Sequence, residues 1–482
     1  MPESYAGPGV FKRFLVGALI IVLASASATA VAGWHEVDKV VAAFKHTKHI
    51  DLKGVISEAD AGKPQTILLM GSDKRSKNSS DFRRGLVGKP LSDTMILMRL
   101  DPSKRATALL SLPRDLKVSI PGYGTDKLNA AYSLGGARLT VRTIRQLDPR
   151  LKINHVINVD FHGFSKAVNA LGCIYVDVDR RYFNNSDSYS KIDIQAGYQR
   201  LCGQDALAYV RYRHEDNDLV RATRQQDFLR QVKAQVGAFG LLNKRNKLLH
   251  IFSSYTSSDL NSRSGILRLL RLAVFSASRP IQEIHFRTKI GPSYVTTRPT
   301  VMKQIVTQFL GVKASKGPKG VLQAKGKKNR RRQRQQDIGL EFAPGPFRDQ
   351  ALQAVNDKVR VFPVWYPTRR VKGSLTIGPP TVYTIESRSG KRYSAYRIVI
   401  KKGYVGEYYG LQGTSYTDAP LLKQAHRSRT LHGRKFDLYY DGDRLRLVAW
   451  KTGDAVYWIS NTLLLSLSNK QMLAIATSTK HL

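Results

Sequence analysis

The chain has 482 residues, enough for two or three domains, and 42% of them are hydrophobic, which is ordinary for a folded protein with real cores. Its charge is unusual, because 78 Lys and Arg stand against 36 Asp and Glu and give a formal net charge of +42. Such an excess indicates an anionic partner: nucleic acid, an acidic membrane face, a phosphorylated polymer or an acidic wall. The chain has only two cysteines, Cys173 and Cys202, which excludes a cysteine-rich scaffold and a structural zinc site.

The N-terminal region contains an uncharged run from Phe14 to Gly33, directly after Lys12 and Arg13. Its ~20 residues are enough for a helix that spans a bilayer, and the basic flank keeps its own side in the cytoplasm. We therefore predict a single-pass protein of the cell membrane, with residues 1–13 cytoplasmic, a signal-anchor at 14–33 and the main body outside. A cleaved signal peptide is the alternative, because small-residue cleavage sites are offered by Ala24, Ala26, Ala28 and Ala30.

Three short apolar runs follow a stalk at 34–63, which contains a short helix around 37–44. The runs predict buried strands at 66–71, 94–100 and 106–112. Ligands of open α/β sheets bind where strands end, so charged residues at these ends are candidates for a site. Those residues are Asp73, Arg75, Asp93 and Arg114.

The next part of the chain alternates between helical and strand patterns. A loop with Lys127 leads into a helix, and Gly135 and Gly136 precede a second helical stretch. A strand–helix–strand pattern follows at 154–178 and predicts a layered α/β domain, which we place at 64–312. Residues 180–203 are rich in loops.

The stretch 209–226 places several arginines close together. Its alternation, YVRYR, predicts a strand end with Arg211 and Arg213 on one face. A helix follows, and Arg221, Arg224 and Gln225 lie in its first turns. Guanidinium groups and helix N-termini both favour phosphate oxygens, whereas a salt-bridged surface turn is the structural alternative.

The two cysteines lie in a predicted strand and in the loop before the next strand. Because the main body is exported, both can be oxidised. We predict a disulfide between Cys173 and Cys202, with two buried free thiols as the alternative.

The C-terminal third has a different composition. Residues 313–336 are basic and contain no acid, which predicts a disordered linker that either binds anionic wall polymer or lipid headgroups, or has no specific partner. From 337 to 482, short strands separated by turns end in a helix after Ser468 and Asn469, and this predicts a small α+β domain. It shows no metal spacing, nucleophile motif or phosphate loop.

Taken in order, several segments resemble the LytR-CpsA-Psr family. They are LLMGSDKR, SDTMILMRLD, LLSLPRDL, KLNAAYSLGG, INHVINVDFHGFSKAVNALGCIYVDV and IQAGYQRLCGQDALAYVRYRHEDNDLVRATRQQ, and they cover about residues 64–310. The resemblance implies a membrane-anchored phosphotransferase that moves a glycopolymer from a polyprenyl-pyrophosphate carrier onto peptidoglycan. It also implies an α/β fold with an apolar cavity for the lipid tail.

The resemblance assigns roles to the charged positions. Asp73 and Asp93 would bind Mg²⁺, or Mn²⁺, which bridges the diphosphate. The residues that we expect to bind the pyrophosphate are Arg75, Arg114, Lys127, Arg211, Arg213, Arg221, Arg224 and Gln225. Those that we expect to act in catalysis are Asp93, Arg114, Arg211, Arg213 and Arg221.

The chain departs from the family pattern at one position, where Leu91 precedes Ser-Asp-Thr in place of the usual Arg. Arg83 or Arg84 of the preceding insertion is a candidate replacement. Two other functions remain open: a wall- or polymer-binding protein without catalysis, and a polyprenyl-pyrophosphate hydrolase. DNA binding is disfavoured, because the predicted anchor places the basic domains outside the cell. His214 is a weaker candidate for proton transfer.

Overall fold

The computed structural model describes residues 30–58, 62–72, 92–103, 106–185, 191–212, 218–236, 244–269, 281–284, 289–290, 293–311, 338–403, 407–423 and 425–482. The chain divides into two compact units. Unit 1 takes its described residues from Met1–Ile174, Cys202–Arg213 and Asn217–Ala314. Unit 2 takes its described residues from Tyr175–Leu201 and Ser315–Leu482.

Helices and short strands make up most of the described chain up to residue 311. The helices are α1 (Ala30–Lys45), α2 (Leu128–Leu147), α3 (Phe161–Leu171), α4 (Gly203–Arg211), α5 (Asp218–Gln235), α6 (Arg245–Tyr255) and α7 (Pro299–Gly311). The strands are β1 (Lys48–His49), β2 (Gln65–Ser72), β3 (Ser92–Asp101), β4 (Ala106–Leu112), β5 (Lys117–Ile120), β6 (Gly124–Lys127), β7 (His155–Asp160), β8 (Ile174–Val178), β9 (Tyr182–Asn184), β10 (Ile192–Ile194), β11 (Gly197–Leu201), β12 (Thr256–Ser258), β13 (Ile281–Ile284), β14 (Lys289–Ile290) and β15 (Val295–Thr296).

Unit 1 is built on a mixed seven-stranded sheet with the order β1-β12-β7-β2-β3-β4-β13. Strand β2 lies in the middle and pairs parallel with β7 and antiparallel with β3, which pairs antiparallel with β4. The apolar run of β2 is buried on both faces, as a central strand requires. The three predicted strands therefore exist and are neighbours.

Helices cover both faces of this sheet. Because side chains alternate along a strand, Leu68 and Met70 pack toward α2 and α7, whereas Ile67 and Leu69 pack toward α1 and α6. Each face thus has its own apolar core. The predicted layered α/β architecture is confirmed for this unit.

Helix α2 is interrupted where the sequence predicted a break. Gly135 and Gly136 have non-helical backbone angles, and Gly136 has φ 61° and ψ −155°, a conformation that a side chain disfavours. Two helical stretches therefore meet at a kink.

The strand predicted at the end of the strand–helix–strand pattern exists as β8, which pairs with β11. One prediction on the middle of the chain is wrong. The residues around Arg211 form helix α4 and not a strand end, because Ala206, Tyr209 and Val210 are all buried at helical spacing. The alternating letters YVRYR misled the sequence prediction, since Tyr209 and its neighbour Val210 are both buried instead of alternating in exposure.

The predicted disulfide is present between helices α3 and α4. Cys173 follows the left-handed C-cap Gly172 of α3, and Cys202 is the N-cap of α4. Their sulfur atoms are bonded at 1.98 Å. The bridge closes the part of the chain that leaves unit 1 after Ile174 and returns at Cys202.

The predictions for the N-terminal segment and for the basic linker fall mostly outside the described residues. Residues 1–29 and 312–337, which include the predicted cytoplasmic segment, most of the anchor at 14–33 and the basic linker, are not described. Helix α1 begins at Ala30, so it is longer than the short helix predicted at 37–44. Among the helices that the structure describes, none is both long and apolar enough to cross a membrane.

The remaining elements lie between 338 and 482. The helices are α8 (Pro344–Asn356) and α9 (Asn469–Thr477), with a 3-10 turn at Pro420–Leu422. The strands are β16 (Leu340–Phe342), β17 (Trp365–Tyr366), β18 (Arg369–Val371), β19 (Leu375–Thr376), β20 (Thr381–Glu386), β21 (Arg392–Lys401), β22 (Tyr408–Thr414), β23 (Arg427–Leu431), β24 (Arg434–Asp441), β25 (Arg444–Thr452), β26 (Ala455–Ser460) and β27 (Lys480–His481).

Unit 2 is centred on an eight-stranded antiparallel sheet, β19-β21-β22-β26-β25-β24-β23, with β20 added beside β21. Helices α8 and α9 contribute to the apolar core on one face. Ser468 caps α9, because its Oγ accepts the Gln471 amide at 3.3 Å and Gln471 Oε1 accepts the Ser468 amide at 2.8 Å. Helix α8 and strand β22 were not predicted.

The boundary predicted at 312 needs one correction. The predicted first domain includes residues 175–201, but they belong to unit 2. Tyr175 and Tyr198 are fully buried and share a core with Trp458 and Leu421. The Tyr198 hydroxyl accepts the Leu421 amide at 3.0 Å, and the Tyr175 hydroxyl donates to the Glu386 carbonyl at 2.6 Å. These contacts were invisible to sequence reasoning because they join residues more than 200 positions apart.

Candidate functional site

The ends of four strands lie at one edge of the central sheet. Strands β2, β4 and β7 finish there and β3 begins there, since Ser72 pairs with both Asp160 and Ser92. The register between β2 and β3 shifts at this edge: Gly71 pairs with Thr94 and Ser72 with Ser92, so Asp93 is the extra residue of a β-bulge. Bulges often occur next to active sites, where they redirect a side chain.

Three charged side chains form consecutive ion pairs near the end of β4. Asp115 Oδ2 lies 3.5 Å from Arg114 Nε, and Asp115 Oδ1 lies 3.0 Å from Lys127 Nζ. Arg114 is 6% exposed, and its carbonyl accepts the Asn129 amide at the start of α2. The structure therefore joins Arg114 and Lys127 through a shared carboxylate, which sequence reasoning did not identify.

A cavity opens beside the same edge. Its walls come from strands β2, β3, β7 and β12 and from helices α3, α4, α5 and α6. The open space inside the cavity and at its mouth amounts to about 950 Å³, which includes solvent outside the cavity. Most lining side chains are apolar or aromatic: Leu69, Met70, Ile96, Val159, Phe161, Phe164, Ala167, Leu207, Val210, Phe228, Leu229, Leu248, Ile251, Phe252 and Tyr255.

Polar side chains line the cavity close to the sheet edge. The Arg211 guanidinium lies over the Phe161 ring, 4.2 Å from its centroid, and both residues line the cavity. Gln225 Nε2 donates to Thr94 Oγ1 at 3.0 Å and to the Val210 carbonyl at 3.1 Å. Gln225 thus joins α5 to β3 and α4. The cavity combines an apolar wall with a cationic, hydrogen-bonding rim.

Arg224 does not reach this rim. It is 0% exposed, and its Nη1 donates to the carbonyls of Tyr209 and Tyr212 at 3.1 and 3.0 Å. These carbonyls lie at the C-terminal end of α4, where carbonyl groups lack the i+4 amide partners of the helix interior, although the Tyr209 carbonyl also accepts the Tyr212 amide at 3.4 Å. The side chain thus holds the end of α4, which carries Arg211, and the role of Arg224 at the pyrophosphate stays a prediction.

Two residues that the sequence prediction missed fix the positions of the helices around the cavity. Gln226 Nε2 donates to Ser111 Oγ at 3.0 Å and ties α5 to β4. Asp160 ends β7 and caps α3, since its Oδ1 accepts the Gly163 amide at 2.7 Å. An aspartate between a strand and a helix is a cap signal that could have identified it.

The remaining predicted residues have mixed outcomes. Arg221 is buried one helical turn before Gln225, and it does not line the cavity. Asp73, Arg75, Arg83, Arg84, Leu91, Arg213 and His214 lie outside the described residues, as does the side chain of Asp93. Among the side chains that are described, no group of three or more metal-ligand residues occurs.

Comparison with known proteins gives the family. A sequence model of the LytR_cpsA_psr family matches residues 27–311, more than half of the chain. The chain belongs to the LytR-CpsA-Psr family. The match includes the sheet, the cavity and residues 175–201, so the family region contributes to both units.

Curated relatives of this family match over part of their length. The "polyisoprenyl-teichoic acid–peptidoglycan teichoic acid transferase TagT" of Bacillus subtilis is 35% identical over 178 residues, which cover 36% of this chain and 53% of that protein. The "probable cell wall biosynthesis protein LcpB" of Corynebacterium glutamicum is 32% identical over 214 residues, which cover 43% and 50%. The chain thus spans about half the length of these relatives.

Solved structures include the crystal structure of B. subtilis TagV. It is 28% identical, covers 52% of this chain and 98% of its own, and has a TM-score of 0.41. A TM-score this low adds nothing to the assignment, which rests on the sequence of the family region.

Proposed function

We propose that this protein is a membrane-anchored phosphotransferase, which moves an anionic glycopolymer from a polyprenyl-pyrophosphate carrier onto peptidoglycan through a phosphodiester link. The observation that carries the proposal is the cavity, whose walls are apolar and whose polar side chains, Arg211, Gln225 and Thr94, lie together at the sheet edge. A prenyl chain needs apolar walls, and a pyrophosphate needs guanidinium donors. The name of the TagT relative supports the same function.

The reaction exchanges one phosphorus–oxygen bond for another. An acceptor hydroxyl of peptidoglycan attacks the phosphorus that carries the glycopolymer, and the anhydride bond to the prenyl phosphate breaks. The hydroxyl releases its proton, and polyprenyl phosphate leaves with the bonding electrons. Negative charge grows on the leaving oxygen, so fixed cations at the rim lower the barrier. Arg211 supplies one of them, and we propose that Arg114 and Arg221, from outside the cavity lining, and Arg213 add positive charge to the pyrophosphate site.

A divalent metal fits the residue types in this part of the sequence. Asp73 follows Ser72, the last residue of β2, in the sequence, and Asp93 is the bulge residue of β3. Mg²⁺ prefers carboxylate and phosphate oxygens and needs only one or two protein carboxylates. We propose that Asp73 and Asp93 hold Mg²⁺ or Mn²⁺, which neutralises diphosphate charge when bound.

The assay uses the full chain with Mg²⁺, a polyprenyl-pyrophosphate-linked glycopolymer and peptidoglycan. We expect polyprenyl phosphate to be released together with glycopolymer linked to peptidoglycan by a phosphodiester. Release of the phosphorylated glycopolymer into solution, without any linkage, would identify a hydrolase. Binding without release of polyprenyl phosphate would identify a polymer-binding protein and overturn the proposal.

The membrane topology is a separate proposal. We propose that residues 14–33 anchor the chain and that everything after them lies outside the cell. Protease added to intact spheroplasts should digest most of the chain. Full protection of the chain from the protease would contradict this topology.

A further inference from the structure

The hairpin of β5 and β6 in unit 1 presents one polar face. Lys117 pairs with Lys127, and Ser119 pairs with Thr125. Residues two apart on a strand share a face, so these four side chains lie together. On the opposite face, Val118 and Ile120 of β5 are buried, and Asp126 of β6 lies beside Val118. We call the four outward residues the hairpin face.

An aromatic ring lies beside the hairpin face. The Tyr294 ring centroid is 5.4 Å from Lys117 Nζ and 6.0 Å from Lys127 Nζ. The backbone fixes this arrangement, because the Val295 amide donates to the Asp115 carbonyl at 2.9 Å and Leu116 forms a bridge with Val295. Tyr294 therefore sits next to both ammonium groups through main-chain contacts.

The two lysines stand directly opposite each other across the hairpin. Like charges in this position repel and destabilise a strand pair. Asp115 forms an ion pair with Lys127, but within the described part of the chain no carboxylate lies within ion-pair distance of Lys117. A bound anion would relieve the repulsion between the two lysines. The positive charge of the hairpin face therefore favours anion binding.

We propose that the hairpin face and Tyr294 bind phosphate-bearing repeats of the glycopolymer beyond the pyrophosphate. The ammonium groups pair with phosphodiester oxygens, the hydroxyls of Ser119 and Thr125 hydrogen-bond to the polymer, and the Tyr294 ring packs against its carbon chain. The surface continues from the catalytic edge through Arg114, Asp115 and Lys127. This inference rests on the proposed function and extends it to the choice of polymer.

The test measures binding of a lipid-free poly(glycerol phosphate) oligomer to the full chain in detergent by calorimetry. Lys117→Ala should weaken binding roughly fivefold to tenfold and lower the slope of log affinity against log salt by about one, as loss of one phosphate contact does. Tyr294→Ala should weaken binding by about tenfold, whereas Tyr294→Phe keeps the ring and should bind nearly as the parent does.

Lys391→Ala in unit 2 is the matched control. Lys391 Nζ lies 5.1 Å from the Tyr393 ring, so this change removes a similar lysine–tyrosine contact and the same charge. It should leave oligomer binding unchanged. Thermal unfolding of each variant checks that the hairpin is intact, and Tyr294→Phe keeps the test valid if Tyr294→Ala does not fold.

A second ligand separates this inference from the proposed function. Polyprenyl pyrophosphate without glycan should bind Lys117→Ala and Tyr294→Phe as tightly as it binds the parent. If the parent does not bind this lipid, the proposed function fails. If the parent binds the lipid but Lys117→Ala binds the oligomer with unchanged affinity and salt slope, the hairpin face is not the polymer site. Preferential binding of an uncharged peptidoglycan fragment would also overturn the inference.

Discussion

Two arginines near the cavity have different tasks despite being close in the sequence. Arg211 is half-buried, lines the cavity and lies over the Phe161 ring. Arg224 is fully buried and donates to main-chain carbonyls of Tyr209 and Tyr212. A guanidinium group can donate hydrogen bonds to the carbonyl oxygens of a helix end, as Arg224 does. It can also donate to phosphate oxygens, as we propose for Arg211. Substitution at the two positions should therefore separate catalysis from stability.

Arg211→Ala removes a cation from the cavity rim. We expect kcat to fall by about tenfold to a thousandfold, because the lost interaction strengthens as charge grows on the leaving group. The melting temperature should stay close to that of the parent. Lys166→Ala is the control, since Lys166 Nζ lies 5.4 Å from the Tyr255 ring and Lys166 does not line the cavity. Equal transfer rates in the two variants would remove Arg211 from the site.

Arg224→Met keeps the volume of the side chain but removes the guanidinium donor from the Tyr209 and Tyr212 carbonyls, although the Tyr209 carbonyl keeps its 3.4 Å contact with the Tyr212 amide. We expect a loss of about 3 kcal/mol in unfolding free energy and a melting temperature roughly 5–10 °C lower. Circular dichroism during heating measures the change, and Arg224→Lys should give an intermediate value. If Arg224→Met melts like the parent but no longer binds polyprenyl pyrophosphate, Arg224 acts on the substrate after all.

At the scale of elements, residues 175–201 complete one face of the large sheet of unit 2. Strands β8 and β11 pair with each other and bring Tyr175 and Tyr198 to the core that contains Trp458. Asp177 adds a buried ion pair, with Oδ1 3.3 Å from Arg397 Nη1. The segment therefore supplies both apolar and charged contacts to the C-terminal residues.

The buried tyrosines of this core give unit 2 a defined pH dependence. Burial raises the pKa of Tyr175 to about 12 and raises that of Tyr198 well above its ordinary value. A raised pKa means that the neutral form is favoured by folding, so this stabilisation is complete below pH ~10 and is lost as pH rises from there through the folded pKa.

We therefore expect unit 2 to unfold cooperatively above pH ~10 and to keep its stability between pH ~7 and ~9. Tyrosinate absorbance and tryptophan fluorescence, recorded together during an alkaline titration, should change in one step. Tyr175→Phe removes one titrating group and should move the midpoint upward. Tyrosines that ionise near pH ~10 with unchanged fluorescence would contradict this prediction.

At the scale of the whole molecule, the two units do not correspond to two continuous segments. The C-terminal residues share a core with a segment that leaves unit 1 after Ile174, and the disulfide between Cys173 and Cys202 closes that segment. Cutting the chain between residues 313 and 336 would therefore divide unit 2.

A fragment of residues 338–482 should consequently fail to fold cooperatively. Without residues 175–201, Arg397 loses Asp177, and Trp458 and its neighbours lose their apolar cover. Breaking a buried ion pair alone costs about 3–5 kcal/mol, which is a large part of a domain's stability. Heat unfolding of the isolated fragment measures this. The same fragment joined to residues 174–202 by a flexible linker should regain a cooperative transition. A fragment that folds cooperatively by itself would contradict the shared core.

Sequence patterns predicted the features that depend on neighbouring residues. Apolar runs predicted β2, β3 and β4, the glycine pair predicted the kink in α2, and Ser468 predicted the cap of α9. Polar residues at strand ends predicted the edge beside which the cavity opens, because neighbouring strand ends meet there in such a sheet. The family could be identified for the same reason, since its motifs are continuous segments.

The tertiary structure decided what depends on contacts between distant residues. The helix at Arg211, the buried position of Arg224 and the place of Tyr294 beside Lys117 all follow from packing partners far away in the chain. The assignment of residues 175–201 to unit 2 has the same origin, because Tyr198 meets Leu421 only after folding. The sequence by itself thus determined the family, the strands and the sheet edge beside which the cavity opens. Long-range packing decided which arginine reaches the cavity and which holds a helix end.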